Sequence, residues 1–359
     1  MEIGIFGLPL SGKSTLFSLL TGVEPHATHK NEANTAVAKV YDKRVEELSK
    51  IFNPKKTIYA TVTFVDIPGY DLSSGQKEKS RILQFIQNSD AIVAVVRAFK
   101  EASVPWPTGA SSPLKQLETI ETELLVRDME VVENRISRLD EARKKRKLSK
   151  EEERELELLR EIEKGFEENR FVSVMGFSEE DLKLLGSLAL FTAKPIIVAV
   201  NVDEDQFTSK EYPEKAAITA RVAESRFAYI EISGKIEVEL NELPEEDRGM
   251  FMEELGISES GIQRLSRVAY EHLGLISFLT VGEDEVRAWT IRKDTPAKAA
   301  AGKIHTDLEK NFIKAEVIPY EEFMTVKSMH EAKNKGMIKL VGKEEIVRDG
   351  DIFHVRANA

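Results

Sequence analysis

Gly7-Leu8-Pro9-Leu10-Ser11-Gly12-Lys13-Ser14 matches the pattern G-x-x-x-x-G-K-[ST] and directly follows a short apolar run that ends at Phe6. The residues after it, up to Leu20, have the apolar spacing of a helix start, so the segment joins a strand to a helix. In such a loop the glycines turn backbone N–H groups toward a polyphosphate, and the helix N-terminus adds its dipole. Lys13 supplies a charge to the β- and γ-phosphate oxygens, and Ser14 offers a hydroxyl to Mg²⁺. We therefore expect a nucleotide to contact these residues: Gly7, Leu10, Ser11, Gly12, Lys13, Ser14 and Thr15.

Apolar runs separated by helical patterns indicate that this loop belongs to an α/β domain. The runs lie at Thr61–Ile67, Ala91–Val96, Pro195–Val200 and Phe227–Ile232. Short continuous apolar strands between helices are typical of a mostly parallel sheet that is buried on both faces. The alternative reading of the loop is a glycine turn without function. Its position at the first strand–helix junction favours the phosphate site.

Val65-Asp66-Ile67-Pro68-Gly69 is the second element of the expected site. An aspartate at the end of an apolar strand can reach Mg²⁺ through water, and the glycine N–H can sense a γ-phosphate. Taken alone, D-x-P-G is a common turn. About 50 residues after a phosphate loop it becomes a candidate switch. We assign catalytic roles to Lys13, Asp66 and Gly69, and Mg²⁺ binding to Ser14 and Asp66.

Asn201-Val202-Asp203-Glu204 follows the apolar run Pro195–Val200 and is a candidate base-binding loop. Many phosphate-loop GTPases have Asn-Lys-x-Asp here, and the aspartate accepts two hydrogen bonds from guanine. Val202 replaces the lysine and Glu204 the aspartate, so we expect guanine recognition to be impaired. A polar loop after a strand is the alternative. Ser233-Gly234-Lys235 fits a second loop that closes over the base, and base contacts are assigned to Asn201, Val202, Glu204 and Ser233.

Two further regions differ in composition and in the spacing of apolar residues from the nucleotide domain. Residues 113–177 are dense in Glu, Lys and Arg, with apolar residues at helical spacing, and Ser149 with Glu152 forms a capping box for a second helix. This pattern predicts an antiparallel helical hairpin with Arg143–Lys147 near its tip. From 277 to 359, short strands punctuated by glycines predict a small β-rich domain. Residues 1–112 and 178–276 then form the nucleotide-binding domain.

Composition excludes several function classes. The chain has 359 residues, a net charge of −11 and no cysteine, so disulfides, thiolate zinc sites and cysteine catalysis are excluded. An acidic chain binds nucleic acid poorly unless it has a local basic surface, because phosphate contacts supply most of that affinity. The hairpin tip is one candidate surface, and the C-terminal lysines Lys327, Lys333, Lys335 and Lys339 are another; both also fit ordinary solvated faces. Without a membrane-length apolar run or a signal peptide, we expect a cytoplasmic protein.

These elements together resemble the YchF/Obg-like ATPase family. The C-terminal segments that carry the resemblance are Phe251–Gly256, Leu275–Thr280, Glu285–Ile291 and Gly302–Lys310. The resemblance spans essentially the whole chain and implies a Ras-like G domain, an inserted helical domain and a β-grasp-like TGS domain. It also implies Mg²⁺-dependent hydrolysis of ATP, or of both ATP and GTP, and association with ribosomes or RNA. We expect a monomer without membrane contacts.

The resemblance also implies roles for single residues. Tyr70 lies where many GTPases have a water-orienting glutamine, so turnover should be slow. The switch threonine that meets Mg²⁺ corresponds to Thr28 in Pro25-His26-Ala27-Thr28, with Thr35 as the alternative. Leu10-Ser11 replaces the family's Asn-Val, which puts potassium-assisted catalysis in doubt. Trp106 aligns with a loop histidine that some members use in catalysis.

Two functions remain open at this point. The first is a slow ATPase switch, with GTP use as its close variant. The second is a non-hydrolysing RNA- or ribosome-binding module in which the nucleotide is structural. The intact Lys13, Ser14 and Asp66 favour the first. Tyr70, Leu10 and Trp106 keep the second open. Single-turnover nucleotide cleavage separates the two, and the hairpin can be either a spacer or a binding arm.

Overall fold

The computed structural model describes residues 1–22, 34–71, 73 and 75–357. By its contacts the chain divides into two compact units. The first contains Met1–Ala36 and Thr63–Leu265, and the second contains Val37–Val62 and Ser266–Ala359. In the described ranges, no helix is both long enough and apolar enough to span a bilayer.

Within these ranges the strands and helices alternate through the first part of the chain, as the apolar runs predict. The strands are β1 (Glu2–Phe6), β2 (Asn34–Val40), β3 (Lys56–Ile58), β4 (Ala60–Asp66), β5 (Ala91–Arg97), β6 (Ile196–Asn201), β7 (Ala228–Ile232), β8 (Leu275–Thr280), β9 (Glu285–Arg292), β10 (Phe312–Pro319), β11 (Lys339–Val341) and β12 (Asp351–Ala357). The helices are α1 (Lys13–Thr21), α2 (Lys43–Phe52), α3 (Gln76–Gln87), α4 (Pro113–Lys145), α5 (Lys150–Glu167), α6 (Glu179–Leu185), α7 (Glu204–Ser209), α8 (Lys215–Glu224), α9 (Gly234–Glu242), α10 (Glu245–Glu254), α11 (Gly261–His272), α12 (Ala297–Ile304), α13 (Thr306–Lys310), α14 (Tyr320–Met324) and α15 (Met329–Asn334).

One of the two sheets of the described residues has the order β2-β4-β1-β5-β6-β7. From β4 to β7 its neighbours pair in parallel, with Ile5 opposite Asp66 and Arg97 opposite Asn201. All seven residues of β5 are buried, which suits a strand covered on both faces. The carboxyl ends of parallel strands meet at one edge of a sheet, so the loops after β1, β4 and β6 come together there. The α/β nucleotide-domain prediction is confirmed.

The predicted helical hairpin consists of α4 and α5. Ser112 accepts a hydrogen bond from the Lys115 N–H and begins α4, with Pro113 at its first turn. Ser149 and Glu152 form the predicted capping box at the start of α5. Ion pairs between Arg135 and Glu155 and between Arg160 and Asp140 join the two antiparallel helices.

The second unit is built on a sheet of order β11-β10-β12-β8-β9-β3. The predicted β-rich C-terminal region supplies five of these strands, and its assignment as a TGS domain stays a prediction. The sixth, β3, lies within 1–112, which the domain prediction gave to the nucleotide domain. It pairs in parallel with β9, Lys56 opposite Glu285. Residues 37–62 therefore group with the C-terminal region, because β3 extends its hydrogen-bonded ladder.

Helix α2 packs in the same second unit through charged and aromatic contacts. The Arg44 guanidinium donates to the Asp349 carboxylate at 2.7 Å. Phe52 stacks on Phe323 with their ring centroids 5.6 Å apart. These contacts attach α2, as well as β3, to the C-terminal region.

Candidate nucleotide-binding site

The phosphate loop has the backbone that its glycines predict. A Cβ on Gly7 would lie 2.6 Å from the Val95 carbonyl oxygen, so only glycine fits against β5. Gly12 has φ +94°, and a Cβ there would lie 2.2 Å from Asn201 Nδ2. Leu10 also has a positive φ, 62°, and its side chain is 51% exposed. The loop thus places its backbone at the start of α1, where N–H groups can bind an anion.

Lys13 lies inside this loop rather than on its surface. Its side chain is buried, and Nζ donates to the Leu8 carbonyl oxygen at 3.0 Å. Burial lowers the pKa of Lys13 to about 8, while the nearby Asp66 carboxylate acts in the opposite direction. An ammonium that has lost most of its water interacts strongly with an arriving phosphate.

Asp66 ends β4 beside Lys13 and Ser14. The Ser14 side chain hydrogen-bonds its carboxylate, and burial raises the pKa of Asp66 above its usual value. The Asp66 Oδ1 atom is buried without a hydrogen-bond partner among the described residues. A buried carboxylate oxygen with nothing to bind is costly, and together with a serine hydroxyl it is a suitable ligand for a hard divalent cation. The donor set therefore fits Mg²⁺.

Gly69 packs directly against the phosphate loop. A Cβ at this position would lie 3.2 Å from Pro9 Cα and 3.3 Å from Lys13 Nζ. A cavity of about 530 Å³ lies beside these residues. It is lined by the phosphate loop, by Pro68, Gly69 and Asp71, and by one side of α3 from Glu78 to Phe85. The structure thus brings the three predicted catalytic residues, Lys13, Asp66 and Gly69, to one place.

Other predicted phosphate-loop contacts differ in what they can offer. Ser11 is fully buried, and its carbonyl oxygen accepts a hydrogen bond from Asn201 Nδ2 at 3.1 Å. Because the side chain is buried and the carbonyl oxygen is bonded, the Ser11 N–H is the group that remains for a nucleotide. Thr15 is exposed at the start of α1. Thr28 lies outside the described residues, and the alternative, Thr35, is exposed in β2.

The polar side chains of the loop after β6 mainly form hydrogen bonds with other groups of the protein. Asn201 bridges the two loops, since its Oδ1 accepts from the Gly234 N–H at 3.1 Å. Asp203 caps α7 in a capping box with Gln206, and its Oδ2 accepts from the Lys100 N–H at 3.1 Å. The capping role of Asp203 was missed, although an aspartate with Gln three residues later is a readable signal.

Three predicted base contacts have other partners as well. The Val202 side chain is 2% exposed and belongs to the apolar core, so it supplies packing rather than a polar contact. The Ser233 hydroxyl caps α9 by accepting from the Ile236 N–H. Glu204 is half-exposed and forms an ion pair with Lys235 at 2.7 Å. This ion pair joins the two candidate base loops.

Tyr70, at the position of the water-orienting glutamine, and Trp106, at the position of the loop histidine, both have partners within the protein. The Tyr70 hydroxyl donates to Glu123 of α4 at 2.6 Å. The Trp106 ring lies over the Arg97 guanidinium, 4.5 Å from its centroid. Tyr70 therefore does not orient a water at the phosphate, and no sequence signal linked it to Glu123.

Two family models match the chain. MMR_HSR1, described as a 50S ribosome-binding GTPase, matches residues 2–135. YchF-GTPase_C, described as a protein of unknown function (DUF933), matches residues 275–358. The two matches cover the phosphate loop at one end and the β-rich region at the other.

Curated relatives and a solved structure match over nearly the full length. The ribosome-binding ATPase YchF of Bacillus subtilis (strain 168) is 40% identical over 367 residues, which cover 100% of this chain and 99% of that protein. The protein of the same name from Escherichia coli O157:H7 is 36% identical, covering 99% of each. The Schizosaccharomyces pombe YchF GTPase structure has a TM-score of 0.86 at 30% identity, covering 99% of this chain and 97% of that one. This agreement confirms the resemblance seen in the sequence, and the chain belongs to the YchF family.

Proposed function

We propose that this chain is a Mg²⁺-dependent purine nucleotide hydrolase that uses ATP as a slow conformational switch on the ribosome. The observation that supports it most is the buried Asp66 carboxylate, whose Oδ1 has no hydrogen-bond partner in the described part of the chain. It lies beside the Ser14 hydroxyl and the buried Lys13 ammonium. The curated YchF relatives, which are named ribosome-binding ATPases, support both the reaction and the partner.

Each residue of the site has a distinct task in this proposal. The backbone N–H groups of the phosphate loop and the Lys13 ammonium hold the β- and γ-phosphates. Ser14 and Asp66 hold Mg²⁺, which when bound supplies charge neutralisation on the phosphate oxygens. The Gly69 N–H senses the γ-phosphate. Tyr70 points to Glu123 instead of to a water, so hydrolysis should be slow without a partner.

Nucleotide preference is the first test of the proposal. We expect the purified protein with Mg²⁺ to bind ATP at least about tenfold more tightly than GTP, a difference of about 1.4 kcal/mol. The reason is that Glu204 is one methylene longer than the aspartate that binds guanine and is already paired with Lys235. Equilibrium titration of wild type and Glu204→Asp with both nucleotides measures the difference.

The control for this titration follows from the structure. Val202→Lys, the other change toward the guanine motif, would place a lysine in the apolar core, so Glu204→Asp is tested without it. Lys13→Ala should lose both nucleotides. A tenfold preference for GTP in the wild type would contradict the ATP assignment. ATP bound but not cleaved in single-turnover experiments would instead support the non-hydrolysing module.

The hairpin tip is the surface that we propose for ribosomal RNA. Arg143, Lys144 and Lys145 end α4 and are exposed, as is Lys147 in the turn. Arg146 is different, because its guanidinium donates to Glu152 at 2.7 Å. Of the Arg143–Lys147 run, four residues therefore offer charge to RNA phosphates, and Arg146 holds the turn.

Neutralising the tip should weaken ribosome binding. The triple variant Lys144→Gln, Lys145→Gln and Lys147→Gln is expected to reduce affinity for ribosomes by about tenfold at moderate salt, and to flatten its salt dependence. Co-sedimentation with ribosomes over a salt series measures both. The matched control changes three exposed lysines elsewhere in the first unit, Lys77, Lys183 and Lys210, to glutamine. Equal losses in the two triple variants would show that ribosome binding depends only on the net charge of the protein.

We also propose that the protein acts as a monomer in the cytoplasm.

A further inference from the structure

Tyr70 follows Gly69 directly, yet its side chain leaves the cavity and is 1% exposed. Its ring packs edge-on against Phe6, with the centroids 5.4 Å apart. Its backbone N–H donates to the Gly7 carbonyl oxygen at 3.1 Å, and its hydroxyl donates to Glu123 Oε2 at 2.6 Å. One residue therefore contacts the phosphate loop through its backbone and the helical hairpin through its hydroxyl.

Lys79 is the third member of this cluster. It belongs to α3, the helix that follows the phosphate-sensing loop, and its Nζ lies 3.6 Å from Glu123 Oε1. The same ammonium lies 5.5 Å from the centre of the Tyr70 ring. We call Tyr70, Lys79 and Glu123 the hairpin triad. It joins the loop after β4, helix α3 and helix α4.

Among the described residues, α4 also bonds parts of the nucleotide domain other than the phosphate loops. Gln116 bonds the backbone of Arg97, Glu121 pairs with Arg221, and the Asp128 carboxylate accepts from the N–H groups of Phe191 and Thr192. Glu123 differs from these residues of α4, because its partner Tyr70 directly follows Gly69, the glycine proposed to sense the γ-phosphate.

We propose that the hairpin triad couples the γ-phosphate-sensing loop to the orientation of the helical hairpin, with Tyr70 as the positioning residue. This inference rests on the proposed function, since it needs a loop that responds to the γ-phosphate. Glu123 and the end of α4 at Lys145 are 22 residues apart, about 33 Å of helix. A tilt of about 5° at Glu123 therefore moves the tip by roughly 3 Å. At the position where other GTPases have a water-orienting glutamine, Tyr70 instead connects the loop after β4 to helix α4.

The experiment measures the position of the tip in two nucleotide states. The chain has no cysteine, so Lys144→Cys and Glu211→Cys place two nitroxide labels at unique exposed sites. Pulsed electron spin resonance then compares the protein with ADP and with a non-hydrolysable ATP analogue. We expect the distance to shift by about 3 Å between the two nucleotides. The shift should be lost in Tyr70→Phe, which removes the hydroxyl and keeps the ring.

Tyr229→Phe is the matched control. The Tyr229 hydroxyl also donates to a carboxylate at 2.6 Å, that of Glu231, but on β7 away from the phosphate loops. The shift should persist in this variant. Glu123→Ala tests the link from the other side, and Tyr70→Phe with Glu123→Ala should behave like either single variant if both act through one contact.

The outcomes test the coupling through the hairpin triad separately from ATP hydrolysis. A shift that persists in Tyr70→Phe, or losses that add in the double variant, would overturn the proposal. So would the absence of any shift in the parent protein. ATP hydrolysis measured on the unlabelled chain decides the proposed function independently, because a hydrolysing chain without a tip movement refutes only the coupling.

Discussion

Asp66→Asn is expected to lower single-turnover ATP hydrolysis by at least about a hundredfold at saturating nucleotide and Mg²⁺. The amide has nearly the shape of the carboxylate but lacks its charge, so it binds Mg²⁺ poorly. It also removes the carboxylate that opposes the lowering of the Lys13 pKa, and less Lys13 is then protonated. Rapid-quench measurements over a Mg²⁺ series determine the loss and the change in metal affinity.

The same variant should remain folded. Burial raises the pKa of Asp66, so the folded chain binds the carboxyl proton more tightly than the unfolded chain does. Ionisation above that pKa therefore costs stability, and asparagine removes this cost at neutral pH. We expect Asp66→Asn to unfold at the same temperature as the wild type or at a higher one in metal-free buffer. Asp205→Asn, an exposed change of the same chemistry, should alter neither property. An Asp66→Asn variant with normal turnover would remove Asp66 from the metal site.

Gly12→Ala is expected to abolish nucleotide binding, with an affinity loss of at least about a hundredfold. At φ +94° an alanine is strained, and its Cβ would meet Asn201 Nδ2 at 2.2 Å. The backbone strain alone should cost about 1–2 kcal/mol of unfolding free energy. The displaced Asn201 would also release its hydrogen bond to the Ser11 carbonyl oxygen, which lies in the phosphate loop. Calorimetric titration with ATP and chemical denaturation measure the two effects.

Two other glycines separate strain from collision. Gly22 has φ +68°, and no atom of the described residues lies within 4 Å of a Cβ there, so Gly22→Ala carries the strain without the clash. Gly249, inside α10, has neither, and Gly249→Ala should stabilise the chain by about 0.5–1 kcal/mol. ATP binding should survive in both controls. If Gly12→Ala binds ATP as tightly as Gly22→Ala does, the contact between Asn201 and the loop has no role in binding.

The parts of the structure that the sequence predicts well are those in which short segments determine their own shape. The phosphate loop and the capping box at Ser149 depend on neighbours within a few residues, and both form as expected. The base loop shows the limit of motif reading. Asn201-Val202-Asp203-Glu204 resembles a ligand-binding motif. In the structure, however, the Asp203 side chain caps α7 and the Val202 side chain is buried in the apolar core. A motif comparison considers only the ligand, whereas folding also satisfies helix ends and fills the core.

Contacts between residues far apart in the chain could not be predicted from the sequence. Strand β3 is three residues, Lys56 to Ile58, and its partner β9 begins at Glu285, so no local pattern connects them. The link between Tyr70 and Glu123 is similar, because a hydroxyl and a carboxylate 53 positions apart leave no periodic signal. Both contacts arise from how the elements stack, which depends on the whole chain.

The strand β3 also bears on how such a protein could evolve. Lys56 of β3 and its partner Glu285 of β9 are 229 positions apart (285 − 56), so the C-terminal region and its last strand cannot be exchanged as one contiguous gene segment. Transfer of 277–359 alone into a chain that has no counterpart of 37–62 would leave the β9 edge unpaired and uncover Phe323, which stacks on Phe52. The two stretches of this unit, 37–62 and the C-terminal region, must therefore be inherited together and change together.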